Sequence, residues 1–161
     1  RFVTDVRPLF GSVLKNAVMR NDFGMVGRTY AIGHEPDLLD WLLRHPVRNV
    51  LNPENPWHLW YPLRRSGAFA RLDPQDVVGM MREHGQIGHA YGQAGLAGDV
   101  RLACHGLDAK DNEFVIGLVG KALHPLSHLV QTMRKTKQTS EYIVQMGPFF
   151  VGYVLGRVSG D

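Results

Sequence analysis

The chain has a single cysteine. Cys104 alone leaves no partner for an internal disulfide and no ligand set for a multi-cysteine zinc or iron–sulfur site. A reducing compartment fits such a chain best. There is also no long apolar run, since nothing approaches the roughly 18 residues that span a bilayer. Charge of one sign is scarce: 18 Lys and Arg oppose 15 acids, and a net charge of +3 is too small to imply nucleic acid. No G-x-S-x-G, no H-E-x-x-H and no glycine-rich loop closed by Lys-Ser/Thr occurs, which removes the commonest hydrolase and phosphate-loop readings. The opening Arg1-Phe2-Val3-Thr4-Asp5 does not read as a signal peptide, and the missing Met suggests a natural start upstream. What is present is a globular composition, 44% hydrophobic and 20% charged over 161 residues, with eight histidines and eighteen glycines. That length buries enough surface for one domain, or for two small halves sharing a core.

Apolar spacing predicts helices over 5–20, 35–45, 73–84 and 125–137. In the second of these, Leu38, Leu39, Trp41, Leu42 and Leu43 form the apolar side. The third opens on Asp73-Pro74-Gln75-Asp76, with Asp73 as N-cap and Pro74 at the first position, and Gly85 is placed to end it. In the fourth, Leu126, Leu129, Val130 and Met133 point inward. Strands are expected at 24–33, at 57–63 (closed by Pro62), at 100–104, at 113–119 and at 149–155. Residues 46–56, rich in proline and asparagine, read as loop. A strand followed by a helix occurs in each half, which suggests a duplicated α+β unit on antiparallel sheets.

Several side chains invite chemistry, and each carries a plainer alternative. His84, in Glu83-His84-Gly85-Gln86-Ile87-Gly88, sits at the expected helix end with glycines after it. That leaves room for a flat cofactor on the imidazole, and it equally suits a side chain capping a helix. His124 and His128 have metal-ligand spacing but no intervening Glu, and a solvated helix start explains them as well. Cys104 and His105 form a thiol–base pair or a buried inert thiol beside a surface histidine. Arg64-Arg65 grips carboxylates or lies on the surface, and Arg134-Lys135-Thr136-Lys137 complements a helix dipole.

Three ordered blocks resemble the chlorite dismutase superfamily of haem proteins, which includes coproheme decarboxylases. They are Tyr61-Pro62, Arg65, Phe69 and Leu72-Asp73-Pro74; then Met80-Met81-Arg82-Glu83-His84-Gly85 with Ile87-Gly88 and Tyr91; then Leu129-Val130-Gln131-Thr132-Met133-Arg134 leading to Gly147-Pro148-Phe149-Phe150-Val151-Gly152. Residues 1–56 are similar only around Thr29-Tyr30 and Asp37-Leu38-Leu39.

The resemblance implies an α+β fold of duplicated ferredoxin-like units (a dimeric α+β barrel) with antiparallel sheets. It implies a shortened first half at 1–56 and a haem-binding half at 57–161. It places His84 on the proximal haem ligand, Tyr61 on the tyrosine that coproheme decarboxylases oxidise beside a propionate, and Arg65 near their basic propionate contact. Phe69 falls at the porphyrin edge, and Ile87 within the block around the ligand. The family's distal position falls on Ala97, or on Asp99 if two residues are inserted, and neither is Arg or Gln. His45 and His58 are candidate substitutes, and Arg101 a candidate displaced arginine. Gln138 or Lys137 stands near the place of the family's carboxylate partner to the proximal histidine. The implied activity is that of a haem-dependent oxidoreductase using peroxide, of the kind that decarboxylates coproheme in haem biosynthesis. A non-catalytic haem carrier or sensor, and a chlorite dismutase with a displaced arginine, are the alternatives. The implied cofactor is haem b or iron-coproporphyrin, and the partners are the porphyrin, a small oxidant and further copies of the chain in a homo-oligomer. Neither nucleic acid nor membrane is expected, and the expected location is cytoplasmic.

Overall fold

The computed structural model describes residues 24–33 and 35–156. The helix expected over 5–20 lies outside the described residues. Six strands form one antiparallel sheet: β1 (Arg28–Thr29), β2 (Trp57–Arg65), β3 (Gly98–Ala103), β4 (Phe114–Gly120), β5 (Ile143–Met146) and β6 (Phe150–Tyr153). The order is β1-β3-β4-β2-β5, with β6 also paired to β2. Helices α1 (His45–Leu51), α2 (Pro74–Gln93) and α3 (Leu123–Met133) complete the fold. From β2 onward the path is one β-α-β-β-α-β unit, in which β4 lies between the parallel strands β2 and β3.

The alternation in Trp57-His58-Leu59-Trp60-Tyr61 builds the central strand. Leu59 and Tyr61 point to the helices and join Leu118, Leu126, Leu129, Val130 and Met133 in the core. The four expected inward residues of α3 are all there. On the other face Trp60 lies flat over its register partner Gly117, where a Cβ would come within 2.6 Å of the indole Cη2.

Several expectations are corrected. Pro62 does not end its strand. Its carbonyl accepts from Gly147 N–H on the side where pairing passes from β6 to β5, so the missing proline N–H faces the break between them. The β5 strand itself was not anticipated, and the last strand is shorter than 149–155. Residues 45–51 are helical rather than loop. Pro46 occupies the first turn of α1, where no N–H is needed, and Asn49 Nδ2 donates to Asp99 O at 2.7 Å. The preceding helical segment starts after Asp37, whose Oδ1 accepts from Asp40 N at 2.9 Å, and passes through a π-turn at Asp40–Arg44. Trp41 turns inward and donates from Nε1 to Tyr30 O, whereas Leu38, Leu39 and Leu43 are exposed. Five apolar side chains among six neighbours cannot share one face at 100° per residue. Of the strand expected over 24–33 only β1 forms.

The largest correction concerns α2. Asp73 caps it as expected, accepting from Gln75 N at 2.8 Å, and Pro74 opens it. The helix then continues through Gly85 to Gln93, so His84 is in mid-helix. It ends in a Schellman motif: Gly95 at φ +64° donates to Gly92 O, and Leu96 donates to Tyr91 O at 2.9 Å. That motif wants an apolar residue just past the glycine to pack back on the helix. Leu96 follows Gly95, but Gln86 follows Gly85.

Candidate functional site

In α2, Val77, His84 and Tyr91 recur at seven-residue spacing and so share one face. Tyr91 and Ile87 pack against the core, which shows that this face looks inward. The helix packs on α3 and on the π-turn Gln138–Tyr142, while α3 lies on β2 and β4. Opposite it, register decides which strand residues share the helix-facing side. Asp99 pairs with Leu118 and Arg101 with Ile116, which also pairs with Tyr61. Tyr61, Asp99 and Arg101 therefore lie on one face, the face that carries the core.

His84 is largely buried, and its Nδ1 is sealed from solvent with no hydrogen-bond partner among the described residues. Burial lowers its pKa, the Arg101 guanidinium adds to the effect, and Glu83 and Asp99 oppose it more weakly. The imidazole is neutral at pH 7. Burial also pushes the Tyr61 phenol well above its ordinary value, against a smaller downward pull from Arg134. The ring of Phe149 stands 4.7 Å from that of Tyr61.

Arg65 lies where β2 bulges, between Arg64 and Arg65, and Glu113 holds it. Arg65 Nη2 and Glu113 Oε1 are 2.5 Å apart, Arg65 Nε donates at 3.0 Å to the same oxygen, and the backbone N–H donates at 2.8 Å to Oε2. The guanidinium lies 4.1 Å over the Phe69 ring. Nη1 makes no hydrogen bond among the described residues. A cavity of about 480 Å³ opens here, lined by Arg65, Phe69, Leu72, Val77 and Glu113. Val77 is two helical turns before His84, or about 10 Å along the axis.

A second cluster sits at β3. Asp99 Oδ2 takes Arg101 Nε at 2.8 Å, and Arg101 lies 5.0 Å over the Trp41 ring, which stacks on His45 at 4.7 Å. Tyr30 joins it, its phenol pushed up by burial and pulled down by Arg101 and Arg65.

The structure thus turns His84, Tyr61, Asp99 and Arg101 to one side of the sheet, with Asp99 and Arg101 half-exposed, and brings Arg65 and Phe69 to the cavity beside them. Ile87 and Ala97 pack on the core. His45 stands next to Asp99 and Arg101, whereas His58 lies on the opposite face of the sheet. His128 Nδ1 is bonded to the Tyr91 hydroxyl, and His124 stacks on His128. Cys104 is buried and its thiol pKa is raised by that burial, as an inert thiol requires, while His105 is exposed. Glu113 was missed by reading the sequence. Strand pairing alone would not have found it: Leu63 opposite Phe114 puts residue 64 opposite residue 113, and it is Arg65, at the irregularity between Arg64 and Arg65, that meets Glu113.

A helix-borne imidazole on the face turned to an antiparallel sheet, with a cavity and a guanidinium about two helical turns away, marks an α+β protein of one sheet covered by helices. The chlorite dismutase family model matches residues 42–155, and the chain belongs to that family. Among solved structures it is similar to a haem-binding protein from Thermus thermophilus, at 27% identity and a TM-score of 0.56 over 63% of this chain. It is also similar to the chlorite dismutase of Candidatus Nitrospira defluvii in complex with imidazole, at 22% identity and a TM-score of 0.53 over 61% of this chain. In each case the match covers 40% of the other chain. No curated protein matches the sequence. Among the described residues no helix is long and apolar enough to cross a membrane.

Proposed function

We propose that the protein binds haem through His84 and works as a peroxide-dependent oxidoreductase of the coproheme decarboxylase kind. One observation carries the reading: His84 is a neutral, mid-helix imidazole with a buried, unpartnered nitrogen, on the face turned toward Tyr61 and Arg101. The residues fit an iron porphyrin. His84 would hold the iron through a ring nitrogen. Phe69, Leu72 and Val77 supply apolar walls, and the free Nη1 of Arg65 supplies a donor for a propionate. Bound iron would supply the redox centre through which peroxide, reduced to water, takes the two electrons released as a propionate loses carbon dioxide and one β-hydrogen as a proton to become a vinyl group. Tyr61 is the oxidisable side chain. Burial keeps its proton on the phenol at neutral pH, so oxidation there has to move a proton with the electron.

A second reading has one observation behind it: Arg101 shares a sheet face with Tyr61, as a displaced arginine for chlorite chemistry would. Its pairing with Asp99 works against it, because that carboxylate already neutralises the charge an anion needs. Assembly into a symmetric homo-oligomer, a duplicated architecture and a cytoplasmic location belong to the proposal on family grounds alone.

The test is to load the protein with iron-coproporphyrin and titrate peroxide, following porphyrin mass. Stepwise loss of carbon dioxide is expected, with Tyr61→Phe still binding the porphyrin but not turning it over. Binding without mass loss in the wild type would leave a haem carrier or sensor. Rapid oxygen release from chlorite, abolished by Arg101→Ala, would establish the second reading instead.

A further inference from the structure

At the end of α2 away from the cavity, three ring side chains meet where that helix lies on α3. His124 and His128 stand four residues apart on α3 and so share one helix face. Both are exposed. Their ring planes are 10° from parallel, with centroids 6.1 Å apart. Tyr91, from α2, bonds through its hydroxyl to Nδ1 of His128. Its ring packs against the core, so the hydroxyl is delivered from a fixed support. Pro125, between the two histidines, has its φ locked and stiffens the turn that carries them. Tyr91 comes two helical turns after His84, or about 10 Å along the axis. Neither histidine has a part in the function proposed above.

We infer that His124 and His128 chelate one divalent transition-metal ion of the copper, nickel and zinc class, with Tyr91 as the positioning residue of the site. Imidazole nitrogen suits these ions, and copper(II) is held most tightly of the three. Metal–nitrogen bonds of about 2.0–2.1 Å bring two ring nitrogens to about 3 Å from each other. His124 makes no hydrogen bond among the described residues, so its exposed ring is free to swing the remaining distance. Tyr91 settles the other ring. A phenol oxygen that accepts from Nδ1–H fixes the His128 tautomer and leaves the Nε2 lone pair for the ion. Among the described residues no group of three His, Cys, Asp or Glu side chains is placed to hold a metal, so water completes the coordination. A chelate of this kind takes up an ion from solution and releases it again, unlike a closed structural centre with four protein ligands.

The test is to titrate copper(II) into the full chain against a competing chelator. Electron paramagnetic resonance counts the nitrogens on the tightest ion, and nitrogen NMR of labelled histidine in the metal-free protein reads the His128 tautomer. One tight ion per chain with two imidazole nitrogens is expected. His124→Gln and His128→Gln, both at exposed positions, should each weaken it at least tenfold, and the double variant should lose it. Tyr91→Phe keeps the ring and removes the hydroxyl. It should weaken the ion roughly tenfold, the lower end of the usual effect of losing a ligand's hydrogen-bond partner, and shift His128 toward Nε2–H. Wild-type affinity and nitrogen signature in the double variant would overturn the site, as would copper bound only in excess and equally by all variants. Unchanged affinity and tautomer in Tyr91→Phe would remove Tyr91 as positioning residue, and the histidine variants decide the site alone if that variant does not fold. The site uses neither His84 nor the cavity, so its failure and that of the haem reading are separate results.

Discussion

Arg65 and Glu113 show how a single contact sets the character of the site. Their side chains are 17% and 16% exposed, and the pair is bidentate, so it is not a loose surface bridge. Burial alone would raise the Glu113 pKa. Its hydrogen bonds from Arg65 and the guanidinium charge outweigh that and leave it below the ordinary carboxylate value. Folded Glu113 therefore binds a proton more weakly than unfolded Glu113. Its contribution is fully present above the ordinary carboxylate pKa of about 4.3, and is lost as pH falls through the lower folded value. Glu113→Gln should lower stability at pH 7 by roughly 2 kcal/mol, the scale of a charged hydrogen bond. It should also flatten the acid limb of a plot of thermal midpoint against pH. An acid limb as steep as that of wild type would rule Glu113 out as its source. The variant leaves Arg65 freer, so porphyrin affinity should hold or rise.

At the scale of elements, glycine position matters more than glycine count. Gly95 sits at φ +64°, where a side chain is strained, and it closes α2. Gly85 is inside the same helix, and a Cβ there meets nothing within 4 Å. Gly95→Ala should therefore destabilise by about 1 kcal/mol, while Gly85→Ala should stabilise by up to about 1 kcal/mol. Chemical denaturation of both variants checks the pair, and shifts of the same sign would contradict the helix boundary. That boundary was partly legible. Asp73-Pro74 marks the start in any context, because capping is local. The stop was not, because a glycine ends a helix only when the next residues have somewhere to pack. Pro62 is similar: its place inside a central strand became permissible only because pairing on that side changes from one strand to another.

For the whole molecule, the arrangement of α2 matters most. It leans on α3 and the π-turn, with the cavity between its first turns and the end of β2. A ligand filling that space binds the folded chain and not the unfolded one. Haem at a hundred times its dissociation constant should then stabilise by about 2.7 kcal/mol. The thermal midpoint of the wild type should climb with added haem, and that of His84→Ala should climb much less. Equal climbs would remove His84 from the binding energy.

By itself the sequence determined whatever depends on neighbours along the chain. That includes the capped start of α2, the inward stripe Leu126, Leu129, Val130 and Met133, the alternation of β2 and the family blocks around His84. Only the tertiary structure decided what depends on distant partners. Glu113 reaches Arg65 across strand pairing, Asp99 and Arg101 turn to the Tyr61 face through register, and Lys137 N–H meets Glu83 where the π-turn region packs on α2. The physical reason is range. Capping and periodicity act within a turn or two of backbone, whereas these pairings exist only once the sheet and its helices have closed around a common core.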